Sequence, residues 1–363
     1  MKFALISLGG KSSQLLLEKA KEHFDIVDDI DIRKVYVQTT TDGQKIFYES
    51  NELKQYDCVL IRGSFRYQLL QTAISTVLKG SCYMPLSSQS FNYCHNKFST
   101  LLALHKKEIP IPTTHYAPKL EVAKKILETV NYPIIIKIPE GTQGKGVMFA
   151  DSLVSAKSVL DTLSIFKQPF LIQEYIETNA TDVRAIVVGD KVVAAMRRRA
   201  QGDELRANLH MGGVGEPYEL DYKAEQIAVK TAKAVGAEIC GVDLLEGRNT
   251  YVLEVNTSPG LMGITEATKL DIAGMMMKYV YEKTKEFVYL KKKEEYSEIM
   301  GSLTKAVNQP KEIYTNLDVV DGVIRLPRVC SKLAGLAKQQ EVVITVKKDN
   351  INIKHVEDNG GGN

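Results

Sequence analysis

The sequence has no apolar run that approaches the length of a membrane span, which needs about 20 consecutive apolar residues. No membrane partner is therefore expected. Cysteine is scarce: Cys58, Cys82, Cys94, Cys240 and Cys330. Their number is odd and no two stand at a metal-ligand spacing, which argues against a zinc site and against a disulfide framework. Free buried thiols in a reducing cytosol are expected, and with them a cytoplasmic location. A net charge of +3 is too small to argue by itself for nucleic acid or membrane. No long internal repeat occurs. No Ser-His or Cys-His constellation marks a side-chain nucleophile.

What is present is ordinary for a globular chain. Of 363 residues, 25% are charged and 44% hydrophobic, enough for a large core and two or more domains. The opening "MKFALISLGG" is too short and wrongly flanked for a signal peptide and reads as a strand with a glycine turn. "SQLLLEKAKEHF" reads as an amphipathic helix, "VYVQTTTDGQKIFYE" as a hairpin turning at Asp42-Gly43, "DCVLIRG" as a buried strand and "YQLLQTAISTVLKG" as a helix closed by Gly80. That is a small open α/β domain.

From Asn96 a helix, "KFSTLLALHKKE", opens a second α/β unit. It continues with helix "VAKKILETV", strand "PIIIKIP", the polar loop "EGTQGKG", strand "VMFA", helix "LVSAKSVLDTL" and strand "FLIQEYI". "VRAIVVG" and "KVVAAMRRR" flank Gly189-Asp190 as a hairpin. Helix "AEQIAVKTAKAVG" precedes an antiparallel pair, "EICGVDLLEG" and "TYVLEVN". The charge run "KKKEEYSE" reads as a linker or a solvated helix. After it come a strand, a turn, the helix "RLPRVCSKLAGLA" and the hairpin "EVVITVKKDNINIKHV", whose first strand alternates as if one face were buried; the tail "DNGGGN" is expected to be disordered.

Chemistry enters with "EGTQGKGV". Gly141, Gly144 and Gly146, with Gln143 among them, let backbone N–H groups close over phosphates without Cβ clashes. A mobile hairpin turn would look the same, and the loop is not a Walker A motif because a strand follows it. Lys137, in the strand entering the loop, shifts the balance, since an unpaired buried ammonium is costly. Lys97, at a helix start, is a second phosphate candidate or a surface lysine. "QEYI", Gln173, Glu174, Tyr175 and Ile176, offers backbone groups to an adenine edge and a carboxylate to a ribose or amino group. Taken alone, a plain sheet strand with one outward acid is the simpler reading.

In "YVLEVNTSPG" Glu254 and Asn256 are two apart, so they share one face of a strand. Asp243 lies on the strand before, and the turn "EGRNT" brings it to the same end. Two carboxylates and a carboxamide make a hard oxygen cluster suited to magnesium, with water and phosphate completing the shell. The competing reading is a set of surface acids on an edge strand, disfavoured by the apolar setting. The stretch "AAMRRRAQGDELRANLHMGG" holds Arg197, Arg198, Arg199 and Arg206. On a strand Arg198 faces away from the other two, so no uniform basic stripe forms, and arginine suits bidentate grip on carboxylate or phosphate. Arg206 and Asn208 precede the Gly212-Gly213 turn.

Together these motifs resemble the ATP-grasp superfamily, most of all its RimK-like branch of ribosomal-protein glutamate ligases. "KIPEGTQGKGV", "QEYI", "DVRAIVVGDKVVAAMRRRA", "RANLHMGG", "GVDLL" and "LEVNTSPGL" follow the family's order and spacing over about Lys2 to Phe287. The resemblance implies an ATP-grasp fold, α/β and α+β in class. It divides the chain into an N-terminal α/β domain at 1–95, ATP-grasp lobes at 96–287, and a linker with a small β-rich appendage at 288–363. It implies ATP and two magnesium (or manganese) ions as cofactors. Lys97, Lys137, the glycine loop, Gln173 to Ile176, Asp182 and the segment Arg206, Ala207, Asn208 would bind nucleotide. Asp243, Glu254 and Asn256 would hold metal. Arg198, Arg206 and Asn208 would be catalytic, and Arg184, Ser258 and Gly260 would hold substrate.

The family joins a carboxylate to an amine through an acylphosphate and releases ADP and phosphate. The expected partners are an amino acid such as L-glutamate and a protein, peptide or cofactor acceptor. Two departures bear on this: Met211 stands where the family commonly has arginine, and Lys145 charges the glycine loop. The last stretch is similar in layout to small swapped-hairpin AbrB-type domains, which dimerise and can bind DNA, so a homo-oligomer is expected and nucleic acid is a weaker alternative. Two other readings stay open. One is a ligase for an amino-group carrier protein or a cofactor tail. The other is a nucleotide-binding regulatory protein whose C-terminal domain binds DNA or a partner.

Overall fold

The computed structural model describes residues 1–139, 146–165, 169–199, 214–308, 318–321, 323–327, 330–331, 334, 336, 341–348 and 350–355. The chain divides into two compact units, Met1–Glu294 and Glu295–Asn363. In the first, β1 (Lys2–Ser7), α1 (Lys11–Ala20) and β2 (Ile26–Asp31) are followed by β3 (Val35–Thr40), β4 (Gly43–Tyr48), β5 (Asn51–Glu52) and β6 (Cys58–Ile61). The parallel sheet β2-β1-β6 is the centre of this part, and β3-β4-β5 form an antiparallel ribbon beside it. β2 reads "IVDDID", with three acids in six residues, and pattern reading passes over it. As the outermost strand of its sheet it needs less apolar surface than β1, whose last five residues are all buried.

Three helices follow: α2 (Gln68–Val77), α3 (Ser88–Cys94) and α4 (Lys97–His105). Asn96 caps α4 by accepting from Ser99 N at 3.0 Å. Next come β7 (Thr114–Ala117), α5 (Leu120–Leu127), β8 (Ile134–Lys137), β9 (Val147–Ala150), α6 (Leu153–Ser164) and β10 (Phe170–Glu174). These make an antiparallel sheet in the order β7-β10-β8-β9, with α5 and α6 packed against it. This lobe has its own core, in which Leu127, Ile134, Ile136, Leu160 and Phe170 are buried.

The larger sheet is built from β11 (Thr181–Val188), β12 (Lys191–Arg199), β13 (Val214–Pro217), α7 (Tyr222–Val235), β14 (Ile239–Glu246) and β15 (Thr250–Asn256). Its order is β13-β12-β11-β14-β15, antiparallel throughout. It shares one hydrophobic core with the N-terminal sheet, which is why both belong to the first unit. α8 (Met262–Thr268) and α9 (Ile272–Asn308) close the series. α9 runs through the charge run, so of the two readings of "KKKEEYSE" the helix is the one realised.

The second unit contains two antiparallel hairpins, β16 (Asp318–Val320) with β17 (Val323–Arg325), and β18 (Val342–Lys347) with β19 (Asn350–His355). The expected helix over 325–337 and the tail after 355 lie largely or wholly outside the described residues. One expectation is corrected here. β18 has no buried face: Val342 is half-buried and Val343 to Lys347 are exposed. A two-stranded ribbon without a covering layer cannot bury either side. Among the described residues no helix is long and apolar enough to cross a membrane. All five cysteines are free thiols, with Cys58, Cys82 and Cys240 buried.

Candidate active site

The register of the larger sheet places charge opposite charge. Asp182 pairs with Arg198 across β11 and β12, Arg184 with Asp243 across β11 and β14, and Asp243 with Glu254 across β14 and β15. Residues directly opposite share a face, and so do residues two apart. Asp182, Arg184, Arg198, Asp243, Glu254 and Asn256 therefore line one face of one sheet. Arg197 points the other way, its guanidinium 3.9 Å from the centre of the Tyr218 ring. That is the alternation expected for the three consecutive arginines.

The buried part of this row is saturated. Arg198 donates to both carboxylate oxygens of Asp182, at 2.5 and 2.7 Å, and its Nη2 lies 3.0 Å from Asp243 Oδ2. Arg184 donates to both oxygens of Asp243, at 2.7 and 2.6 Å. Burial alone would raise the Asp243 carboxyl, but Arg184 and Arg198 outweigh it and hold the group at about 2. Asp182 goes the other way: burial and the nearby Asp243 charge raise it against the pull of Arg198. The two aspartates compete for Arg198, and Asp243, with a second arginine of its own, wins.

Glu254 and Asn256 are less enclosed. Asn256 Nδ2 donates to Glu254 Oε1 at 3.0 Å, which ties the amide to the acid. Across from them, Lys137 is buried at the end of β8. Its ammonium donates to Gln173 Oε1 at 2.6 Å, and Gln173 Nε2 donates to Thr114 Oγ1 at 2.7 Å. Burial pushes the Lys137 ammonium down to about 8; Glu254 opposes the fall and Lys97 adds to it. One lysine of the smaller lobe thus feels an acid of the larger sheet and the first residue of α4. Lys97 N donates to Pro139 O at 3.3 Å, which brings that helix start to the end of β8.

At the junction after β10, Glu174 Oε1 accepts from Thr113 N at 2.8 Å and Tyr175 N donates to Pro133 O at 3.4 Å. Tyr175 meets Phe149 edge-on, with ring centres 5.2 Å apart. Ile176 lies over the β14–β15 turn, where a Cβ on Gly247 would come 3.1 Å from its Cγ2. Gly146 ends the glycine loop with φ +76°, and a side chain there would strike Ile138 Cγ1 at 2.7 Å. This position requires glycine. The other loop residues, Gly141, Gln143 and Gly144, lie outside the described residues, as do Arg206, Ala207 and Asn208.

The loop after β15 is tied to the N-terminal sheet. Ser258 Oγ accepts from Gly63 N at 3.1 Å, Pro259 O accepts from Arg62 Nη2 at 2.7 Å, and Leu261 N donates to Ser12 Oγ at 2.9 Å. Gly260 is exposed. Arg62 is 7% exposed, and burial alone pushes its guanidinium down to about 10. Sequence reading missed Arg62. The signal available was a cation closing the otherwise apolar "CVLIRG".

The donors fit magnesium in part. Glu254 supplies a hard, half-exposed oxygen, and Asn256 supplies another if its amide turns its oxygen outward, an orientation that hydrogen bonding decides. Asp243 already accepts three hydrogen bonds from Arg184 and Arg198, which leaves one lone pair on Oδ1 for a cation. Among the described residues no three His, Cys, Asp or Glu side chains gather into a metal cluster, so a cation here would also lean on amide, water or phosphate oxygens.

Known proteins resemble this chain in sequence and in fold. The sequence model of the RimK-like ATP-grasp domain matches residues 94–280. The chain is 37% identical over 286 residues to a probable alpha-L-glutamate ligase of Methanococcoides burtonii, covering 77% of this chain and 95% of that protein. It is 36% identical over 292 residues to one of Cellvibrio japonicus, covering 78% and 97%. Among solved structures, the ATP-grasp ligase PsnB complexed with a phosphomimetic variant of its minimal precursor, Mg and ADP matches with TM-score 0.59 at 20% identity, covering 78% of this chain and 98% of that one. The RimK domain protein ATP-grasp of Sphaerobacter thermophilus matches with TM-score 0.60 at 16% identity, covering 77% and 99%.

Proposed function

This chain belongs to the RimK-like ATP-grasp family, an ATP-dependent ligase family, and on that premise we propose that it joins the amine of L-glutamate to an acceptor carboxylate. The observation that carries the reading is that Lys137, buried in one lobe, lies within electrostatic reach of Glu254 on the other, which Asn256 holds by a hydrogen bond. A carboxylate oxygen attacks the γ-phosphorus of ATP and ADP leaves; the amine then attacks the acylphosphate, losing a proton, and phosphate leaves. Lys137 and Lys97 offset charge on the phosphates. Magnesium, when bound, supplies further charge neutralisation on the transferring group. Glu254 and Asn256 would hold it, with Asp243 as the third ligand. Arg198 and Asp182 serve as the buried support of that row. The junction from Gln173 to Ile176, beside the Phe149 edge, would receive the adenine.

The acceptor fits a protein or peptide terminus, in keeping with the peptide complexes of PsnB. The exposed apolar strands of the second unit, Val343, Ile344 and Val346 among them, support self-association through that unit. ADP release is to be screened over amino acids with candidate acceptors, followed by product mass. A mass gain of one glutamyl residue supports the assignment, and ADP release with another amino acid alone overturns it. Glu254→Ala should stay folded and lose activity by at least about a hundredfold, in line with loss of a charge-stabilising group. Full activity in a folded Glu254→Ala protein would sink the metal assignment.

A further inference from the structure

We infer that Arg62 is the receptor for the spectator α-carboxylate of the amino acid whose amine is joined. The inference rests on the ligase reading above. Arg62 sits just past the end of β6, and α1 begins just past the end of β1. Both are carboxyl ends of parallel strands, the edge at which open α/β sheets hold ligands. Three hydrogen bonds, from Arg62, Gly63 and Ser12, tie this edge to the loop at 258–261. That loop begins where β15 ends, and Pro259 is three residues beyond Asn256. The edge therefore adjoins the reaction centre.

The guanidinium is under-used. It carries five N–H donors, and its one hydrogen bond among the described residues goes to a backbone carbonyl. Arg198, equally buried, grips two aspartates, and Arg184 grips one bidentately. Among the described residues Arg62 hydrogen-bonds no carboxylate, and only burial acts on its charge. A buried cation without a counter-ion is costly. Such a residue is stabilised when an anion arrives, and a planar fork matches a carboxylate best. The chain beside the Arg62–Pro259 bond is open: Gly260 is exposed, and nothing lies within 4 Å of where its Cβ would stand.

The spectator carboxylate is the better occupant. The reacting carboxylate must lie against Glu254 and Asn256, and a bidentate arginine would draw away the charge it needs to attack phosphorus. The α-carboxylate must not react. It shares a carbon with the amine, so fixing one fixes the other. The same grip separates α-amino acids from simple amines.

The test compares full-length wild type with Arg62→Met, which keeps the apolar stem and removes a buried charge, its fold being checked by urea midpoint against wild type. L-Glutamate and its α-carboxamide, isoglutamine, are titrated calorimetrically onto protein holding ADP and magnesium. Wild type should bind the acid about 10- to 100-fold more tightly than the amide, the range of a charge-assisted bond. Arg62→Met should bind both alike, with ADP affinity within about twofold of wild type by the same measure. A preference that survives in Arg62→Met overturns the inference. So does a wild type that binds both compounds equally, or one that binds neither although glutamate drives ADP release. Equal weakening of both compounds in Arg62→Met, with the preference intact, would make Arg62 only a clamp on Pro259. ADP release separates the two readings. If another amino acid drives turnover, the glutamate assignment falls, and Arg62 is judged on that amino acid and its amide.

Discussion

Lys137 holds its charge against burial, and this makes it a proton sensor. Its ordinary value is 10.5, and in the fold it falls to about 8. Between those two values the unfolded chain binds more protons, so stability rises with pH across that window. Below pH 8 the penalty is fully present, on the order of 3 kcal/mol. Urea denaturation should show the rise in wild type and not in Lys137→Met. Phosphate favours the charged form, so ATP binding at pH 8 should take up about half a proton. Calorimetry in buffers of different ionisation enthalpy reads this, and uptake that persists in Lys137→Met would remove the lysine from the phosphate site. Arg198 answers to stability instead. Arg198→Met leaves Asp182 buried and unpaired and should cost about 3–5 kcal/mol. Arg198→Met with Asp182→Leu should recover most of it, and a single variant as stable as wild type would contradict the charge row. That Glu254, Asn256 and Asp243 share a sheet face, and that Lys137 is more than a surface lysine, was legible because a polar residue in an apolar strand needs a reason. The arginine grip on Asp243 was not, because cross-strand register is absent from a linear pattern. Arg62 escaped notice because one cation at a strand end resembles an ordinary solvated terminus.

Among elements, hairpins and long helices were the most legible, since Gly-Asp turns and amphipathic periods are local signals. β2 was not, because parallel pairing to β1 is non-local and its acids hide the pattern. The β11–β12 turn shows how tightly such a local signal is bound to packing. Gly189 has φ +64°, and a Cβ there would stand 2.5 Å from Tyr279 Cε2. Tyr279 on α9 and Tyr83 both donate to Glu238, at 2.7 and 2.5 Å. The turn, the start of β14 and α9 thus meet at one carboxylate. Gly189→Ala should cost about 1–3 kcal/mol from backbone strain alone, with more from displacing Tyr279. Asp190→Ala, with its exposed pair to Lys233, should change the urea midpoint little. Equal midpoints for both variants would mean that the turn does not depend on glycine.

At the scale of the whole molecule, residues 1–294 hold both hydrophobic cores and every described site residue. A chain ending at Glu294 should fold and bind ATP with wild-type affinity while losing the oligomeric state of the full chain. Light scattering after size exclusion and nucleotide titration measure the two properties. A folded truncation unable to bind ATP would show that the second unit completes the site. The molecule also contains no tryptophan, and this gives the Tyr175–Phe149 contact an optical meaning. In a Tyr175→Trp protein the only indole of the chain would sit edge-on to Phe149. Its emission would come from that one slot, without background from any other part of the protein. A base sliding in beside it would quench or shift the signal, so the rate at which nucleotide seats could be followed in a stopped-flow instrument without any attached dye.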